Sequence, residues 1–493
     1  MQINTIIQVF TNHIQIELRK LFVRLSETWD FRQFEDDLMT LVNQLEAFLT
    51  MYALENLFSD PVFLARLKLL GGKLGMRFQR HQILHVRLGN GLQIPVLSPY
   101  FLKTIPKRGR KKRGRNGRGK HLGLGILGIV GQASPAFLSK TVQMALLCPS
   151  FEVAKNVLAE QGININIKVL RRYCKLIGAR GMKWRGIISL DGTENLKGST
   201  IVIGIDGGRL RERRGKRGRW KKGQKRRGFY TDWREPKLFT IYFVDAHGEV
   251  MREIAPLHDA TMGDHKAAFA LLEQYLSVLP LEQAEKIVFC GDGASWIWSD
   301  VVSLCERMKL ETSKVHQVLD YTHAKQQLGK LLDYVGTKGG AKRKKRKLDS
   351  KWKKLLWNGQ IERLRIEIEK HCVGKRKDAA LRKWTTYFKK NRARMQYQAF
   401  EKQNIPRGSG SVESAIRRII NLRLKAPGTF WKNEMAEAIL FLRSQLISGR
   451  WSMMMRNVGR QLARMLHRIN DNKLNVKQFQ PRLNKTEMDN LVR

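Results

Sequence analysis

Residues 287–298 read IVFCGDGASWIW. The apolar run Ile287-Val288-Phe289-Cys290 reads as a buried strand, and it stops at Asp292, set between Gly291 and Gly293. Trp296 and Trp298 follow on a helix expected around 296–309. A carboxylate at the end of a buried strand, with no side chains beside it, is open to something hard and charged. The flanking glycines would let a metal or a phosphate reach the backbone unobstructed. The ordinary alternative is turn chemistry, since aspartate often ends a strand for local reasons.

Working outward, the same pattern occurs upstream. IVIGIDGG (201–208) is a second apolar strand that ends on an aspartate beside glycine, Asp206. KLFTIYFVD (237–245) and EVMREIAPL (249–257) read as two further strands, joined as a hairpin across Ala246-His247-Gly248. A helix over 264–278 precedes KIVFCGD, and KVHQVLDY (314–321) follows the next helix as another strand. Strands alternating with helices imply an α/β fold, a mixed sheet with helices on both faces. Carboxylates at strand ends gather on the sheet edge where ligands of open α/β sheets bind.

A third acid, Glu413, lies near the start of the helix in SVESAIRRII. Val412, Ala415, Ile416, Ile419 and Ile420 form an apolar stripe at steps of three and four, suited to packing on a sheet. Glu413 borders that stripe, with Arg417 four residues on; an ordinary first-turn acid is the alternative. Asp206, Asp292 and Glu413, without a Cys or His ligand cluster, suit Mg²⁺ or Mn²⁺. Two such ions about 3.5–4 Å apart serve in-line phosphoryl transfer.

The charge names the partner class. Lys+Arg number 92 against 43 Asp+Glu, a formal net charge of +49 over 493 residues. Nucleic acid is the expected partner, because its phosphates match such an excess. Hydrophobic residues make up 42%, enough for a sizeable core in two to four domains. The five cysteines, Cys148, Cys174, Cys290, Cys305 and Cys372, are widely spaced without a CxxC, so neither a disulfide framework nor a zinc knuckle is expected. With no signal peptide, membrane span or ATP-binding Walker motif, the expected setting is a reduced cytoplasm.

The first 70 residues carry apolar positions at helical steps, followed by a short strand-like piece, HQILHVRLG, then Pro95 and Pro99. The stretch 104–120 is Gly and cations, either a solvated linker or an arm on DNA phosphate. In SFEVAKNVLAEQGININIKVLRRYCKLIGAR, a helix capped by Ser150 breaks at Gly162. A second, basic helix then exposes Lys168, Arg171, Arg172 and Lys175. That is the pattern of a helix-turn-helix, with an ordinary helical hairpin as its competitor. After Asp206, residues 209–230 form a long basic loop. Arg209, Arg211, Arg213, Arg214, Lys216, Arg217, Arg219, Lys221 and Lys222 would hold phosphates there, and Trp220 or Tyr230 would stack on a base; a solvated loop is the alternative. Trp296, Trp298 and Trp431 read as packing residues.

GIDGG, CGDGASWIW, DYTH and GSGSVESAIRRIINLRLKAPGTFWKNEMAEAILFLRS together resemble the DDE transposases of bacterial insertion sequences related to the Mutator group, over about 196–450. The resemblance implies an RNase H-like core with an all-helical insertion before the last acid. It implies Asp206, Asp292 and Glu413 as the metal-binding triad holding two Mg²⁺ or Mn²⁺ ions. Asp320-Tyr-Thr-His323 fits a related pattern after the second acid, in which His323 contacts a phosphate or steers a strand; a structural histidine is the alternative. The implied protein binds double-stranded DNA at terminal inverted repeats, cuts it, and joins a 3′-hydroxyl to target DNA, as a homo-oligomer in the nucleoid. A nuclease without strand transfer and a catalytically silent DNA-binding protein are the alternatives.

The expected organisation is a helical region over 1–98, a basic linker over 99–122 and a DNA-binding region over 123–195. The core follows in two parts, 196–321 and 406–450, split by a helical insertion over 322–405, with a basic tail over 451–493.

Overall fold

Two aspartates stop and restart the N-terminal chain. Helix α1 (Ile3–Thr28) gives way to α2 (Phe31–Ser59), whose first turn is capped by Asp30 accepting from the Gln33 N–H at 3.0 Å. Asp60 caps α3 (Pro61–Lys73) from the Val62 N–H at 2.9 Å, with Pro61 in the first turn. This is a computed structural model, and it describes residues 3–103, 119–185, 196–216, 218, 223, 228–335 and 341–468.

Strand β1 (Met76–Arg87) then pairs antiparallel with β2 (Gln93–Lys103), which also pairs with the short β3 (Gly119–Lys120). The hairpin corrects the helical reading of 1–98 and the start of the linker at 99. HQILHVRLG is part of a longer strand, and Pro95 and Pro99 lie in its partner. β3 borders β2 only at Phe101 and Leu102, so that edge needs no donor at either proline. Met51, Phe58, Leu67, Val86, Ile94 and Phe101 form the core beneath the hairpin. Helices α4 (Leu122–Ile126), α5 (Pro135–Leu147), α6 (Phe151–Glu160) and α7 (Ile167–Gly181) follow, and Gly162 at φ 76° ends α6 as expected.

The chain divides into two units. Residues 1–145, 151–170 and 455–493 form one; residues 146–150 and 171–454 form the other. Both helices of the expected helix-turn-helix exist, and Lys168, Arg171, Arg172 and Lys175 are exposed. The stretch 123–195 is nevertheless not a unit of its own, because α6 belongs to the first unit and α7 from Arg171 onward to the second.

The second unit is built on β4 (Thr200–Gly207), an apolar run buried from Thr200 to Ile205. Near-continuous burial marks a central strand covered on both faces. A hairpin of β5 (Leu210–Gly215) and β6 (Phe229–Arg234) follows, then β7 (Lys237–Val244), β8 (Leu257–Thr261), α8 (His265–Leu276), β9 (Lys286–Gly291), α9 (Ser295–Arg307) and β10 (Val315–Leu319). The sheet order is β10-β9-β4-β7-β8, with β10, β9 and β4 parallel and β7 antiparallel to both β4 and β8. Residues 249–257 are not the strand that was expected. Asp245 accepts from the N–H groups of His247 and Glu249, both at 2.9 Å, and Val244–Val250 is a lone bridge. The true edge strand is LHDAT, wholly buried despite its His258 and Asp259.

The described residues of 322–405 form helices joined by short turns, with no strand among them: α10 (Tyr321–Leu332), α11 (Ala341–Trp357), α12 (Ile361–His371), α13 (Gly374–Lys383), a π-helical stretch (Trp384–Lys389) and α14 (Tyr397–Lys402), with a short 3-10 turn before the last. It shares one core with the sheet, where Trp352, Phe388 and Tyr397 join Phe289 and Val318. The chain returns through α15 (Gly410–Ile416), a second π-helical stretch (Arg417–Asn421) and α16 (Leu422–Leu424) to α17 (Asn433–Ile447). The final helix α18 (Trp451–His467) begins the basic stretch 451–493, which was expected to be helical in part. From residue 455 it belongs to the first unit, where Gly125 and Gly128 leave room for Leu462 and Gly459. No helix among the described residues is long and apolar enough to cross a membrane.

A buried ionic triad ties α17 to β8. Arg185 meets Asp259 at 3.0 Å and Glu437 at 2.8 Å. Asp259 also accepts from the Tyr275 hydroxyl at 3.0 Å, and Glu437 from the Met262 N–H at 2.6 Å. These acids are structural because each has a cation and further donors. Removing one charge leaves the guanidinium under-compensated in a site that solvent reaches only in part. Asp259→Asn is therefore expected to lower stability by on the order of 3 kcal/mol, read as a shifted urea midpoint with an unchanged slope. An unshifted midpoint would mean that the triad does not hold this edge.

Candidate metal centre

Parallel pairing places three aspartates side by side. Ile205 pairs with Gly291, and Gly291 pairs with Leu319. The next residue on each chain is Asp206, Asp292 and Asp320. All three therefore stand one step past the same row, at the carboxyl ends of β4, β9 and β10. Each is fixed locally: Asp206 Oδ1 accepts from the Gly207 N–H at 2.6 Å, Asp292 Oδ1 from Ala294 at 2.8 Å, and Asp320 Oδ1 from His323 at 2.6 Å.

Asp320 caps α10 and so puts His323 in its first turn, with the imidazole Nδ1 3.1 Å from the carboxylate. The other Asp320 oxygen accepts from the Ser409 N–H, which anchors the start of α15. The Ser409 hydroxyl reaches Glu413 Oε1 at 3.3 Å. Ligand atoms of Asp320, His323 and Glu413 all come within 4.8 Å of one another.

The expected apolar stripe seats Glu413. Val412, Ala415, Ile419 and Ile420 are buried, while Ile416 is only partly so. Gly204 in β4 makes room for Val412, since a Cβ there would lie 3.0 Å from the valine Cβ. The helix widens to π at Arg417–Asn421, and the buried Arg443 donates to the carbonyls of Arg418 and Ile419, the latter at 2.9 Å. Arg417 is exposed on this stretch and pairs with no acid among the described residues.

The electrostatics are those of crowded carboxylates. Burial raises the Asp206 pKa, and repulsion from Asp292 and Glu413 adds to it, against the Gly207 N–H and His323, to reach about 6. Burial also pushes Asp320 up, but its hydrogen bonds from His323 and Ser409 outweigh this and hold it at about 2. The hydrogen bond to Asp320 raises the His323 pKa; burial opposes it, and the charges of Asp320, Asp206 and Asp292 add to it. Among the described residues no lysine or arginine forms an ion pair with Asp206, Asp292 or Glu413. Asp320, His323 and Glu413, two carboxylates and an imidazole, are the group whose ligand atoms can hold a divalent metal ion; Asp206 and Asp292 are not part of that group.

The glycines around Asp292 serve a different purpose from the one expected. A Cβ on Gly293 would come 2.2 Å from the Tyr387 ring, and one on Gly291 would come 3.2 Å from Ile297. Packing, not open access, demands them. Tyr387 lies on the first π stretch of the helical insertion. Its hydroxyl is buried without a hydrogen-bond partner among the described residues, and burial, then the charges of Asp292 and Asp320, keep it protonated.

Two of these residues escaped the sequence reading as site residues. Asp320 obeys the same strand-end rule as Asp206 and Asp292 and was visible in DYTH; Tyr387 had no local signal. Trp298 and Trp431 are buried, as expected, and donate to the carbonyls of Asp292 at 3.1 Å and Leu424 at 3.0 Å. Arg209, Arg213, Arg214 and Lys216 are exposed and Arg211 partly so; Arg217, Arg219, Trp220, Lys221 and Lys222 lie outside the described residues.

Gly293→Ala is expected to cost about 1–3 kcal/mol through its collision with the Tyr387 ring. In a Tyr387→Ala background the same change should cost less than half as much, a coupling that a double-mutant cycle measures directly. Equal costs in both backgrounds would remove the contact.

Comparison of the chain with family models, curated proteins and solved structures returns no match.

Proposed function

We propose that the second unit is an RNase H-like phosphoryl-transfer core and that the chain is a DNA transposase of the insertion-sequence type. One observation carries the reading. Asp206 feels the charges of Asp292 and Glu413 at one sheet edge, and among the described residues no lysine or arginine pairs with any of the three, in a chain with a net charge of +49. A protein this basic has cations to spare, and it uses them on Asp259 and Glu437. Acids left uncompensated in such a chain are suited to a metal ion. The order β10-β9-β4-β7-β8, with the last acid on a helix after an all-helical insertion, is compatible with the proposed core.

In this reading Asp206, Asp292 and Glu413 hold Mg²⁺ or Mn²⁺, two ions in all, with Asp320 and His323 beside them. Bound ions would stabilise charge on a phosphoryl group and lower the pKa of a bound water or sugar hydroxyl. The chain's own groups do the rest. Asp320 orients the His323 imidazole through Nδ1, and its raised proton affinity suits it to a phosphate oxygen. Arg417 and the cations of 209–227 position DNA phosphates, and Arg171 and Arg172 extend the contact toward the element ends. Joining two ends calls for a homo-oligomer on double-stranded DNA, with terminal inverted repeats and target DNA as substrates.

Asp292→Asn is expected to lower strand cleavage at least about a thousandfold while leaving DNA binding nearly intact, measured on labelled duplexes with Mn²⁺. Unchanged cleavage would remove Asp292 from the site. Strand-joined products separate a transposase from a nuclease, and binding without any cleavage by the wild type would mean a silent DNA-binding protein. Replacing the cations of 209–227 with Gln or Ser should weaken binding to all sequences alike and flatten the salt dependence by about 0.9 log unit per lost phosphate contact. A loss confined to element ends would instead make the loop a reader of sequence.

A further inference from the structure

The stretch expected to be a basic loop is a hairpin with two unlike faces. β5 and β6 pair in strict antiparallel register, so alternate residues separate cleanly. On one face Arg214 lies 3.4 Å from both Glu212 and Asp232, and Arg234 lies 3.2 Å from Glu212. Leu210 and Glu212 on this side are buried. The face is turned toward the protein at its base and largely neutralises its own charge.

The other face contains no acid. Its residues are Arg211, Arg213, Phe229, Thr231 and Trp233. Arg213 lies over the Phe229 ring at 4.2 Å, and Arg211 lies over Trp233 at 5.7 Å. Phe430 extends the row, 4.7 Å beneath Arg211 and 5.6 Å from the Phe229 ring. Neither arginine has a carboxylate partner among the described residues. The rings are unusually open for their size, Trp233 at 61% and Phe229 at 36%. The backbone of Trp431 pairs with that of Arg211 and Arg213, which holds the row in place.

Exposed aromatic rings alternating with unpaired guanidinium groups fit one chemistry. The rings offer stacking faces to unpaired bases, and the arginines offer donors to the phosphates between them. A duplex keeps its bases stacked on one another and can use only the cations. We infer that this face of the hairpin, at Arg211, Arg213, Phe229, Trp233 and Phe430, binds single-stranded DNA. The inference rests on the nucleic-acid reading above and names which strand form the hairpin takes. β5 starts four residues after Asp206, so the bound strand is held close to the carboxylate edge.

The test uses the full chain in EDTA, so that binding is read without cleavage. Fluorescent single-stranded and duplex oligonucleotides of the same sequence are titrated against the wild type, Phe229→Ala, Trp233→Ala and Trp29→Ala. Trp29 is a more exposed ring, between α1 and α2 and outside the hairpin. Phe229→Ala and Trp233→Ala are each expected to weaken single-strand binding by about tenfold and duplex binding by less than about twofold. Trp29→Ala is expected to change neither, and thermal unfolding of all variants should match the wild type because the side chains are exposed. Equal losses on both DNA forms, a Trp29→Ala loss as large as that of Trp233→Ala, or no loss at all would overturn the inference. A wild type that binds duplex alone would overturn it while leaving the nucleic-acid reading standing; a wild type that binds neither form would overturn both.

Discussion

Carboxylates packed at one sheet edge repel one another, and burial weakens the solvent screening that would relieve them. The parallel register of β4, β9 and β10 forces this crowding, because it sets Asp206, Asp292 and Asp320 in one row. The fold answers in two ways. Asp320 is satisfied internally, by the His323 and Ser409 N–H groups. Among the described residues no lysine or arginine pairs with Asp206, Asp292 or Glu413. The contrast with Arg185, Asp259 and Glu437 is instructive, since both groups are acidic clusters in the same unit. One is closed by its own arginine; the other has no lysine or arginine partner among the described residues.

The remaining architecture fixes that edge. Gly204 lets α15 press Val412 onto β4, which brings Glu413 to the strand ends. Arg443 takes up carbonyls of the π stretch that follows, so the helix can widen without leaving those acceptors unpaired. The helical insertion shares a core with the sheet and lays Tyr387 over Gly293. The first π stretch thus carries Tyr387, which borders the centre, and the second carries the exposed Arg417. The β5–β6 hairpin starts four residues after Asp206 and carries a cation-rich face.

What was legible in the sequence followed from burial and periodicity. Apolar runs that stop at an aspartate marked Asp206 and Asp292, and a helical stripe marked the seat of Glu413. The helical nature of 322–405 was expected from the resemblance. Other features carried no such signal. β8 was missed because a strand containing His258 and Asp259 looks polar; only the distant Arg185, Thr240 and Tyr275 make it burial-competent. The β5–β6 hairpin alternates in charge and not in hydropathy, so it read as a loop. The glycines beside Asp292 looked open because the ring that fills the space comes from almost a hundred residues downstream. α6 and α7 were recognised as helices, but their sequence did not disclose that they divide between two units.

The central claim is that this edge is a divalent-metal site. Crystals of the full chain grown with Mn²⁺ and measured at a wavelength sensitive to manganese test it most directly. The account predicts anomalous density in contact with Asp206, Asp292 and Glu413, lost in crystals of Asp292→Asn. Manganese bound elsewhere, or an edge without anomalous density at millimolar Mn²⁺, would contradict it.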